Sequence, residues 1–181
     1  MTDAARAIAG WENFYVIVGS SAAALIGLQF VVIALIKDTR MRTTSGSISA
    51  FGTPTVVHLG GALVVSAIIS APWPSLSAVS IALALTGAMG VGYCTTVIIH
   101  ARRQTTYKPV WQDWLWHMLL PWSAYAALAI AAFVLRESTR GPPFVIGGAA
   151  LGLLLIAIHN AWDTVTFVVV DRAGEQPATT P

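Results

Sequence analysis

The chain has 181 residues, of which 56% are hydrophobic and 10% charged, with a formal net charge of +2. A soluble domain carries about 25% charged residues, so this composition leaves too little polar surface for one. No basic cluster interleaved with aromatics occurs, which argues against nucleic acid as a partner, and the lone Cys94 excludes a disulfide within the chain.

The apolar residues fall into five runs near or above the length that crosses a bilayer. They predict an all-α integral membrane protein, a five-helix transmembrane bundle spanning residues 1–171. The N-terminal MTDAARAIAGWENF lacks the basic segment of a cleaved leader. The first helix is therefore expected to remain, over about 11–36, opening on the interfacial aromatics Trp11, Phe14 and Tyr15. Gly19, Ala23 and Gly27 recur every four residues along it, the small-xxx-small pattern of close helix packing, within the subunit or against a second copy. Gln29 lies on a different face.

A polar, basic loop, KDTRMRTTSGSIS, leads to a second helix over about 54–70, with Pro54 placed in its first turn. APWPS turns the chain into a third helix over about 76–100. Its Gly87, Gly90 and Gly92 follow no strand, so they signal close helix contact and not a dinucleotide fingerprint. After the basic ARRQTTYKP, a fourth helix covers about 111–135, and Pro121 is expected to kink it. RESTRGPP joins it to a fifth helix over about 144–170. The polar tail, 172–181, is expected to be disordered.

Lys and Arg orient the bundle. One side carries seven (Lys37, Arg40, Arg42, Arg102, Arg103, Lys108, Arg172) and the other three (Arg6, Arg136, Arg140). The richer side is expected to be cytoplasmic, with the N-terminus outside, the C-terminus inside, and the chain multi-pass in a cell inner membrane. Trp111, Trp114 and Trp116 then mark the inner interface, and Trp11 and Trp73 the outer one.

Within this frame, polar residues gather in the cytoplasmic half. At 1.5 Å of rise per residue, His117 lies roughly 9 Å in from Trp111. His159 lies roughly 16 Å and Asp163 roughly 10 Å in from Val170. Gln29 lies roughly 10 to 12 Å from the cytoplasmic end of its helix, His58 about one turn in, and His100 at the mouth. Ionisable groups at such depth are expensive and mark functional sites by default. The helical faces carrying them read Thr86, Met89, Tyr93, Thr96, His100 on the third helix and Asp113, His117, Leu120, Ala124, Leu128, Ala131 on the fourth. On the fifth the face reads Gly148, Gly152, Leu155, Ile156, His159, Asp163, Thr166. Asp113-x-x-x-His117 and His159-x-x-x-Asp163 mirror one another on antiparallel helices, so His117 and His159 are expected to approach across the bundle.

The expected site is therefore His58, Asp113, His117, His159 and Asp163, supported by Gln29, Tyr93, His100 and Asn160. Imidazoles with carboxylates behind them suit zinc or iron, and an open coordination position would make the site catalytic at the inner leaflet. Haem b held between two histidines is a further alternative; without CxxCH it would not be covalently attached. HExxH and HxxxH are missing. The competing reading is a structural or partner-binding membrane protein whose polar groups only bond to one another and fix the packing. A channel is disfavoured because the outer half offers only Glu12 near the surface. Cys94 is read as packing.

Overall fold

The computed structural model describes residues 10–38, 45–103 and 111–175. Five helices and no strand are present among them. They are α1 (Glu12–Asp38), α2 (Ser45–Ser70), α3 (Leu76–Arg103), a composite α4 and α5 (Pro142–Glu175). Each holds a stretch long and apolar enough to cross a bilayer: Glu12–Ala34, Thr53–Ser70, Leu76–Arg102, Leu115–Val134 and Pro142–Thr166. Their outer faces are apolar too, with Ile17, Phe30, Met89, Ile130 and Phe133 exposed. That arrangement suits a lipid solvent, in which apolar side chains need no burial.

Two helix boundaries differ from expectation. α2 begins at Ser45, so Pro54 lies inside the helix and not in its first turn. Continuous helix on both sides overrides the local cost of one missing N–H. α5 continues to Glu175 and takes in the start of the expected tail, while residues 176–181 lie outside the described residues.

α4 runs as α-helix over Trp111–Trp114, as a π-helical turn over Leu115–Leu119, and as α-helix again over Leu120–Val134. The Leu120 N–H reaches the Leu115 carbonyl, five residues back. The cause lies at Pro121, which has no N–H to offer the His117 carbonyl four residues before it. One extra residue in the turn absorbs that conflict. The expected kink is thus expressed as a π turn, and His117 lies within it.

In the bundle α1 packs along α2, α2 along α5, α5 along α4 and α4 along α3, with α2 also touching α3 and α1 touching α5. Small residues set the closest approaches. A Cβ on Gly87 would collide with the backbone of Ala129, so α3 and α4 meet nearly backbone to backbone there. At the end of the bundle where α1 and α5 begin, Trp11 meets Phe14 and Phe144 edge to face. The core between the ends is built from Tyr15, Val18, Leu59, Val65, Leu83, Leu128 and Leu153.

Candidate functional site

Tyr125, on α4, is the residue around which the interior polar groups are arranged. It is 2% exposed, and its ring fills the space that a Cβ on Gly61 of α2 or Gly90 of α3 would occupy. Three helices therefore close on one aromatic ring, and the two glycines make room for it. Its hydroxyl donates to the Val57 carbonyl at 3.4 Å and lies 3.5 Å from Nδ1 of His58. His58 is itself 1% exposed, with the Tyr93 ring edge-on at 6.3 Å between centroids. His117 comes near enough to His58 for the two imidazoles to interact electrostatically. His58, His117, Tyr93 and Tyr125 thus form one polar group shared by α2, α3 and α4.

Three of these residues, His58, His117 and the supporting Tyr93, were in the sequence reading, and Tyr125 escaped it. Tyr125 carries no charge and lies off the face traced through Leu120 and Ala124. The π turn adds a residue, and each residue turns a helix by about 100°. Beyond it the buried side of α4 runs through Pro121, Tyr125, Leu128 and Ala132. A tyrosine one turn after a proline in an apolar helix was the available signal.

His159 and Asp163 pair as their spacing requires, with Nε2 of His159 3.1 Å from Oδ2 of Asp163. They do not point into the core. Their side chains are 36% and 47% exposed, and Leu155 on the same face is 54% exposed. The His159 ring stacks on Trp116, with centroids 3.8 Å apart and planes 22° apart. Trp116, and not His117, is the ring that His159 meets on α4. Trp162 beside the pair is 68% exposed and Trp111 74%. Exposed tryptophans collect at membrane interfaces, and the pair lies on the surface of the bundle beside them.

The buried side of α5 runs instead through Ile146, Leu153, Ala157 and Asn160. Asn160, expected only as a supporting residue, is 1% exposed, and neither its amide nitrogen nor its oxygen has a partner. Nε2 of His58 is likewise buried without a partner. Each such atom costs about 1–3 kcal/mol if nothing satisfies it.

The remaining expected members are dispersed. On α3 the face through Met89, Thr96 and His100 points outward; the buried side runs through Val79, Leu83, Gly87, Gly90 and Cys94. His100 is exposed and donates from Nδ1 to the Thr96 carbonyl of its own helix at 2.8 Å. Gln29 is buried at 9% exposure, in keeping with a place inside the bundle. The side chain of Asp113 lies outside the described residues.

The expected histidine–carboxylate centre is not assembled. Among the described residues, no group of three or more His, Cys, Asp or Glu stands close enough to hold a metal ion. His58 and His117 face the interior, whereas His159 and Asp163 face the surface of the bundle. The reason is rotational: the face each helix buries depends on its neighbours.

Comparison with known proteins adds no assignment. No family model matches the chain, and neither a curated protein nor a solved structure matches it.

Proposed function

We propose that this chain is a structural or partner-binding multi-pass protein of an inner membrane, with its N-terminus outside and its C-terminus in the cytoplasm. Its interior polar groups lock the helices together. The observation that carries this reading is Tyr125, held between Gly61 and Gly90 while its hydroxyl reaches both His58 and the Val57 carbonyl. An interhelical bond in a membrane contributes on the order of 0.6 kcal/mol, and the buried ring adds packing to it. Of the small-residue stripe on α1, Gly19 is taken up within the subunit, where a Cβ would press on Ser66. Ala23 and Gly27 remain exposed on the outer surface and offer a second copy a close approach.

Thermal unfolding of the detergent-purified protein tests the reading, combined with metal analysis and an absorption spectrum. Tyr125→Ala is expected to cost about 3 kcal/mol, as for a large aromatic removed from a core. His159→Ala is expected to change stability by about 0.5 kcal/mol or less, because its pair with Asp163 is exposed. Stoichiometric zinc or iron, or a haem Soret band, lost in His58→Ala would overturn the packing reading in favour of a metal or haem centre.

A further inference from the structure

Besides Ser80 Oγ on α3, the packing leaves unsatisfied Nε2 of His58 on α2 and both amide atoms of Asn160 on α5. His58 and Asn160 are each 1% exposed. Helix register brings them to one depth. On α1, Phe14 and Trp11 meet Gly147 and Phe144 of α5, while Gly19 meets Ser66 of α2. α1 and α5 run in the same direction, and α2 runs opposite. Counting equal numbers of residues inward from those contacts, at equal rise, sets Asn160 level with Gly27 on α1 and with His58 on α2. α2 and α5 pack directly on each other.

The hydrogen-bond pattern also says which kind of group is missing. Tyr125 has one hydroxyl proton and gives it to the Val57 carbonyl. Its oxygen then accepts from His58 in the tautomer that carries the imidazole proton on Nδ1. Nε2 is left as a bare acceptor. Asn160 supplies one further acceptor and a two-proton donor. A guest that satisfies this set must donate to Nε2 and to the Asn160 oxygen, or donate once and accept from the Asn160 amide. A carbonyl or an anion cannot donate at all.

We infer that His58 and Asn160 form an intramembrane site for a hydroxyl group, held between α2 and α5 at the level of Tyr125. Water is the smallest molecule with that chemistry. It would make three bonds here, the usual number for a buried water. The hydroxyl of a neutral lipid alcohol is the other source of the same chemistry. The inference goes beyond the packing role, because it assigns an occupant that the chain itself does not supply.

Nitrogen-15 NMR of histidine-labelled full-length protein in nanodiscs tests it, with the His58 signal assigned by its loss in His58→Gln. In phosphatidylcholine nanodiscs, which bring no lipid hydroxyl, the expected result for water is a deprotonated, hydrogen-bonded Nε2 with magnetisation transfer from water, lost in deuterium oxide. For a lipid alcohol, transfer to Nε2 is expected only after dioleoylglycerol is added. In either case Asn160→Leu is expected to abolish the transfer. A protonated Nε2, an absence of transfer under both conditions, or undiminished transfer in Asn160→Leu would overturn the inference. None of these outcomes depends on the stabilities measured for Tyr125→Ala and His159→Ala, so the two readings fail separately.

Discussion

Tyr125 and its two glycines give the sharpest residue-scale prediction. Gly90→Ala places a methyl group where the Tyr125 ring lies. Overpacking of this kind is expected to cost about 1–3 kcal/mol. Shortening the ring should relieve it, so Gly90→Ala combined with Tyr125→Leu is expected to be more stable than the sum of the single effects predicts, as for any contacting pair. A thermal-unfolding double-mutant cycle measures this, and strict additivity would mean that the glycine and the ring do not share the space. His159 and Asp163 show the opposite case. Their i,i+4 spacing on a helix was readable and the pair forms. Spacing alone could not say that the pair sits beside exposed Trp162 instead of inside the bundle.

At the scale of the element, α4 carries the most consequence. Pro121 was legible as a disturbance, but two responses were open to the chain: bend the helix, or insert a residue into one turn. Insertion preserves the packing of Leu120–Val134 on α3, where Gly87 meets Ala129 and the Trp122 indole donates to Thr95 at 3.2 Å. It also turns the segment before it, which places Trp116 against His159 and His117 toward His58. Pro121→Ala restores the missing donor and removes the reason for the π turn. Residues 111–117 are then expected to rotate by about 100° relative to the rest of α4. Cross-linking of Trp116→Cys to His159→Cys with a short thiol reagent, in a Cys94→Ala background, is expected to fall several-fold when Pro121→Ala is added. Unchanged cross-linking would show that the π turn has another cause.

For the whole molecule, the proposed topology puts the termini on opposite sides of the membrane, because the candidate spans number five, and the proposed orientation follows from seven Lys and Arg against three. A reporter fused to the C-terminus is expected to be active in the cytoplasm and silent in the periplasm. Activity only in the periplasm would invert the bundle. The polar group around Tyr125 would then face outward while keeping its internal geometry, because that geometry is set by contacts between helices and not by the membrane's polarity.

Helix number and approximate span lengths were determined by composition alone, since long uncharged runs separated by basic or proline-containing loops have few other solutions in a bilayer. Which face each helix buries was not. In lipid the outer surface is as apolar as the core, so the amphipathic pattern that marks the inner face of a soluble helix is absent: Leu155 and Leu153 read alike, yet one is exposed and the other buried. Tertiary contact made that choice, through glycines that let helices touch and a proline that added one residue to a turn. It thereby divided the expected single layer into a buried group around Tyr125 and an exposed His159–Asp163 pair on the surface of the bundle.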